Sequence, residues 1–255
     1  MHGAIVPTLL AGLALAVAAP GHARAGTPDW DANVSRARAY AETRAGVESF
    51  VLRDEGGVRH GWRGRRIVHS ASVLKAMLLV AYLRRPSVRH RALTESDRAL
   101  LRPMIRWSDN ATASRIVSLL GAAPLNRLAA LAGMGHFRLR SPWGHSEITA
   151  RGQARFFRRI DGLMPRRHRV FGMRLLNRIV ASQRWGIPPV KPPGWTIYFK
   201  GGWGSGTGLV THQVALLLRG ERRISLAILT TSNPSHVYGT DTIRGIAKRL
   251  LRGLR

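Results

Sequence analysis

Four of the 41 basic residues in this 255-residue chain are lysines (Lys75, Lys191, Lys200 and Lys248), and all the others are arginines. Arginine keeps its proton at any accessible pH, whereas lysine releases one where its surroundings destabilise the charge. Lysines kept in so arginine-rich a chain point to places where a removable proton matters. Lys75 follows Ser72 by three residues, and Lys200 opens the run Lys200-Gly201-Gly202-Trp203-Gly204. Ser108-Asp109-Asn110 lies between them.

Each motif has a chemical and a structural reading. On a helix, Ser72 and Lys75 share one face a turn apart, and a serine needs an adjacent base to act as a nucleophile. Lys75 can be that base if burial, or a second cation such as Lys200, lowers its pKa. The plain alternative is a surface Ser-x-x-Lys match. Ser108-Asp109-Asn110 reads first as a helix N-cap. Functionally, Ser108 can relay a proton, and the Asn110 amide can hold a substrate carbonyl and orient Lys75. The glycines after Lys200 fit either a hairpin turn or close approach by an extended substrate. In the second reading the Trp203 and Ser72 N–H groups form an oxyanion hole, while Lys200 binds a substrate carboxylate.

The elements that must position these residues follow from periodicity. Residues 72–83 are apolar almost all round, which predicts a buried helix. Residues 33–46 predict a helix with Ser35 as a possible cap. Residues 47–52 and 58–62 predict a hairpin through Gly56-Gly57. Helices are expected over 94–105, 111–120, 124–132, 149–160 and 172–181. Strands are expected over 196–200, 212–218 and 224–230, then an amphipathic helix over 240–254. Strands at both ends and helices between them predict an α+β fold. In it, an antiparallel sheet is built from both ends of the mature chain, with terminal helices on it and a central all-helical lobe over about 72–185. No repeat or long linker divides residues 26–255, so one catalytic domain is expected.

In their order, Ser72-Val73-Leu74-Lys75, Ser108-Asp109-Asn110 and Lys200-Gly201-Gly202 resemble the three motifs of class A β-lactamases and penicillin-binding proteins. Residues 104–110 also resemble the class A form of the second motif. Ile148-Thr149-Ala150-Arg151 resembles the segment that leaves that family's omega loop. The resemblance implies Ser72 as acylated nucleophile and Lys75 as base or relay. It implies Ser108 as proton shuttle to the leaving nitrogen, Asn110 as ligand of the substrate amide and Lys200 as ligand of its carboxylate, with Gly202 and Trp203 beside the substrate. It implies a β-lactam or a peptidoglycan stem peptide as substrate, and no cofactor. Two departures stand out. The only acids between Asn110 and Lys200 are Glu147 and Asp161, and neither is placed like the family's deacylating glutamate. Glu147 instead suits a pair with Arg138 or Arg140 across the neck of a short loop. Gly201 also replaces the family's Thr or Ser. The expectation is acylation with poor deacylation. A D-alanyl-D-alanine carboxypeptidase and a cationic envelope-binding protein with a decayed site are the alternatives.

The bulk properties bound the setting. A formal net charge of +28 predicts attraction to anionic polymers, here the cell envelope. Nucleic acid is not expected, since the arginines are scattered and no nucleic-acid module is evident. Residues 4–19 are uncharged and mostly apolar, and Ala23-Arg24-Ala25 has the small-x-small form of a signal-peptidase site. Residues 1–25 therefore read as a secretory signal, with an uncleaved anchor as the alternative, and the protein as a secreted, extracytoplasmic monomer. The chain has no cysteine, which removes thiolate chemistry and disulfides. The histidines lack metal-ligand spacing, so no metal is expected. Trp62 and Trp107 read as packing residues, and Trp203 as one that shapes the site rim.

Overall fold

The computed structural model describes Met1, Gly3 and residues 28–255; the expected signal segment lies outside the described residues. The chain begins with α1 (Trp30–Glu42), capped by Asp29, whose carboxylate accepts the Ala32 N–H. The cap is therefore not Ser35, which lies inside the helix. The hairpin β1 (Val47–Arg53) and β2 (Arg59–Trp62) follows, with Phe50 opposite Trp62. A two-residue strand, β3 (Val68–His69), leads into the 3-10 turn Ala71–Val73 and then α2 (Leu74–Leu83). Every residue of α2 is buried, as its almost continuous apolar sequence requires.

The helical region continues through α3 (Pro86–Arg89), α4 (Glu95–Arg106), α5 (Asn110–Leu120) and α6 (Ala122–Ala132). Thr94 and Asp97 close a capping box at the start of α4. A short strand β4 (Glu147–Ile148) pairs antiparallel with β3, and α7 (Ala150–Leu163) and α8 (Arg166–Asn177) follow. α8 starts six residues earlier than expected, because its first turn carries arginines and a histidine and so lacks an apolar pattern.

The long antiparallel strands β5 (Thr196–Gly204), β6 (Val210–Arg219) and β7 (Arg222–Thr231) precede α9 (His236–Leu250). The sheet order is β2-β1-β7-β6-β5, so strands from the two ends of the described chain meet at the β1–β7 pair. β6 and β7 are buried at consecutive positions, which requires cover on both faces. α7 packs on β1, β6 and β7, while α9, with α1 against it, packs on β6 and β7. α2 sits among α4, α5, α6 and α8. β5 is the sheet edge facing this helical group, and the turn before α2 packs against it. Among the described residues no helix is long and apolar enough to cross a membrane.

Candidate active site

The site forms where the start of α2, the loop before α5 and the edge strand β5 meet. Two non-glycine residues here have left-handed backbone: Ala71 (φ 42°), immediately before Ser72, and Ser108 (φ 60°). Such conformations cost energy and persist only where surrounding structure enforces them. At Ser108 the consequence is visible, since both its carbonyl and its hydroxyl reach the Lys75 amine.

Lys75 is fully buried on α2. Its Nζ hydrogen-bonds to Ser108 O, to Ser108 Oγ at 3.1 Å and to Asn110 Oδ1 at 2.7 Å. Burial lowers its pKa from 10.5 to about 7, against the opposing charge of Asp109. Lys200 is also fully buried. Its Nζ donates to Ser108 Oγ at 3.0 Å and to Gly201 O at 2.7 Å. Burial first, and the charge of Lys75 second, push its pKa well below the ordinary lysine value. One hydroxyl thus bridges two buried amines. The Asp109 carboxylate is held by the backbone N–H and hydroxyl of Thr112, both at 2.7 Å, and so caps α5. The capping and site readings of this tripeptide hold together, as the cap fixes the loop that carries Ser108.

Ser72 is half-buried in the 3-10 turn. A Cβ on residue 202 would lie 2.8 Å from Ser72 N and 2.7 Å from Val73 N. Only glycine lets β5 come this close to the turn. Among the described residues the Lys75 amine bonds to Ser108 and Asn110 rather than to Ser72. The structure therefore joins Lys75, Ser108, Asn110 and Lys200 directly, and brings Gly202 against the backbone of Ser72. Trp203 lies one residue further on, partly exposed.

On the other flank, residues 141–146 form a short loop between Arg140 and Glu147. Ser70 N–H donates to Ser146 O at 2.7 Å, tying this loop to the segment just before Ser72. Glu147 accepts from Arg140 Nε at 2.8 Å and Nη2 at 2.6 Å, and its second oxygen lies 3.1 Å from His136 Nε2. These partners, Arg140 first, hold its pKa below the ordinary carboxyl value. Asp161 is paired with Nη1 and Nη2 of Arg223, at 2.8 and 2.7 Å. The side facing Lys75 carries an indole instead: the Trp143 ring centroid is 5.0 Å from Lys75 Nζ, and its Nε1 donates to Ser114 Oγ at 3.0 Å.

His212, fully buried on β6, links the sheet to this region. It accepts the Thr230 N–H on Nδ1, and its Nε2 donates to His69 O at 2.9 Å. Burial holds its pKa down to about 4, so it stays neutral in that role. Trp107, expected to pack inside, is instead exposed under the Arg106 guanidinium. Trp143, Trp185 and His236 were not singled out from the sequence. The only local signal for Trp143 was its place in a short Pro- and Gly-containing loop.

A family model described as "Beta-lactamase enzyme family" matches residues 91–254. The match takes in the second and third motifs but begins after Ser72 and Lys75. No curated protein is similar enough in sequence to count as a relative. The fold is similar to that of a β-lactamase from Sphaerobacter thermophilus, at 20% identity and TM-score 0.74, covering 88% of this chain and 97% of that one. It is similar to a class A β-lactamase from Mycobacterium abscessus, at 21% identity and TM-score 0.72, covering 86% and 98%. A β-lactamase from Xanthomonas campestris pv. campestris gives 18% identity and TM-score 0.75, covering 87% and 97%.

Proposed function

Because the chain belongs to the beta-lactamase enzyme family, by a match over more than half of its length, we propose that Ser72 attacks the carbonyl of a β-lactam or related amide to give an ester that deacylates slowly. The chain is a serine hydrolase of the β-lactamase type. The observation that carries the assignment of roles is the single hydroxyl of Ser108 held between two fully buried lysine amines.

In this reading neutral Lys75 takes the Ser72 proton as the Oγ–carbonyl bond forms. Rotation of the Ser72 hydroxyl toward Nζ accompanies substrate binding, a tightening common between free enzymes and their complexes. When the C–N bond breaks, Ser108 gives its proton to the leaving nitrogen and regains one from Lys75. Lys200 holds the Ser108 oxygen in place from the other side. Asn110 receives the acyl-side amide, and the backbone N–H groups of Ser72 and Trp203 receive the oxyanion across the gap that Gly202 leaves open.

Deacylation needs a base for water. Both acids between Asn110 and Lys200 are held by arginines, and Trp143 faces Lys75. That supports a long-lived ester, and it favours a penicillin-trapping peptidase as the second reading. A chromogenic cephalosporin and a D-alanyl-D-alanine peptide separate the two. Turnover of the first places the chain among β-lactamases in activity, and slow trapping with peptide cleavage places it among peptidases. If neither is cleaved and wild type and Ser72→Ala are equally unlabelled by a fluorescent penicillin, the reading fails.

Such substrates lie outside the cytoplasm, and the +28 charge suits retention at an anionic envelope. Fractionation of cells expressing the full chain checks this: recovery in the cytoplasm contradicts it.

A further inference from the structure

Gly201 and Gly202 are adjacent but needed for different reasons. Gly202 leaves room for the backbone of Ser72. At Gly201 a Cβ would meet the Trp185 ring, 2.9 Å from Cζ2 and 3.0 Å from Cη2. The Trp185 indole therefore occupies the space into which a side chain at position 201 would project. Its loop is clamped by Gln213, the residue paired with Gly201 across the sheet. Gln213 is fully buried, donates from Nε2 to Trp185 O at 2.9 Å and accepts the Ile187 N–H at 2.6 Å.

Two further rings complete a wall. Trp203 meets Trp185 edge-on at 5.9 Å, and His236, from the first turn of α9, stacks on Trp203 at 5.2 Å. His236 also meets Trp185 edge-on at 5.2 Å, and its Nδ1 lies 3.2 Å from the hydroxyl of buried Thr211. These rings come from three separate parts of the chain and are held from behind by Gln213 and Thr211. They are not sealed in a core, since Trp203 and His236 are exposed and Trp185 is half-buried.

The cations next in sequence to Gly201 and Trp185 are both committed elsewhere. Lys200 is buried and engaged with Ser108 Oγ and Gly201 O. Arg184, beside Trp185 in sequence, donates to Asn177 O, and its guanidinium lies over the Phe199 ring. A carboxylate placed here would lose hydration without gaining a free charged partner from either residue. A flat apolar group would gain aromatic contact.

We propose that Trp185, Trp203 and His236 form a recognition wall for the amine-side substituent of the acyl donor, selecting a flat apolar or aromatic group there over a free carboxylate. This rests on the reading that Ser72 is acylated with Ser108 protonating the leaving nitrogen. Ser108 bonds to Lys200, the next residue is Gly201, and the Trp185 ring lies on Gly201, so substituents on that nitrogen extend toward the wall.

The test uses the full chain and one cephalosporin supplied as its free acid and as its p-nitrobenzyl ester. Rates of Ser72 labelling are read by intact mass. Wild type is expected to react about tenfold faster with the ester, the scale of one good aromatic contact. Trp185→Phe keeps that preference and Trp185→Ala loses it. The double variant Trp185→Ala/Gly201→Thr, with space for the new hydroxyl, shifts it toward the acid. Melting curves identify any variant that fails to fold, and the wild-type and Trp185→Phe ratios decide the matter without them. Labelling in which wild type prefers the acid, or shows no preference, overturns the wall and leaves acylation standing. Absence of labelling by either probe removes the acylation reading and the wall with it.

Discussion

The two flanks of Ser72 are built to opposite standards. On one, the half-buried hydroxyl of Ser108 links the buried amines of Lys75 and Lys200 in a continuous hydrogen-bonded chain, with Asn110 at its mouth. On the other, residues 141–146 form little more than a neck closed by Arg140 and Glu147, with Trp143 turned toward Lys75. In the proposed function the first flank makes the ester, while the carboxylate on the second, Glu147, is already held by Arg140. The comparison teaches that the two halves of a serine hydrolase cycle place separable demands on the fold. In that reading, proton transfer during acylation depends on the buried amines that α2 and β5 carry. In the same reading, activation of water depends on the separate segment 141–147, which meets Lys75 through the Trp143 ring.

The largest effect is expected on the built flank. Lys75→Ala should slow Ser72 labelling by on the order of 10³-fold or more, within the range of a lost general base. Retention of the wild-type rate would break the comparison at its stronger side. A pH profile sharpens the same point. Burial favours the neutral amine and places the Lys75 pKa at about 7, so the base is protonated below that pH and free above it. Labelling rates should rise through about pH 7 and then level off, and a rate that falls across this range would contradict Lys75 as base.

The opposite flank yields a gain-of-function prediction. Trp143→Glu places a carboxylate where the indole now faces Lys75 and should shorten the lifetime of the ester by on the order of tenfold. Trp143→Gln, which supplies no base, should not shorten it. The smallest effect is expected at Glu147→Gln: a slight loss of thermal stability from the weakened Arg140 and His136 pairs, and an unchanged ester lifetime. Rapid loss of deacylation in that variant would mean that Glu147 acts on water after all.

Much of the built flank could be read from residue type and spacing. The scarcity of lysine singled out positions 75 and 200, and the nearly unbroken apolar run of α2 announced that Lys75 would be buried. Both ends of the sheet were legible as alternating or β-branched segments, and Arg140 was legible as a partner for Glu147. What could not be read depended on contacts between distant positions. The need for glycine at 201 comes from Trp185, and the place of His236 comes from Trp203 and Thr211. The early start of α8 was hidden because Arg166, Arg167 and Arg169 show no apolar stripe. The β3–β4 pair was hidden because two-residue strands have no period to detect. The Asp29 cap lay just outside the segment whose pattern suggested a helix.

The account turns on a serine that forms an ester readily and releases it slowly, and a time course of intact mass with a simple penicillin tests this directly. The protein should gain the mass of one whole penicillin, located at Ser72 by peptide mapping, and keep it while little hydrolysed product accumulates. Unmodified protein throughout, whether product accumulates rapidly or not at all, would contradict the account.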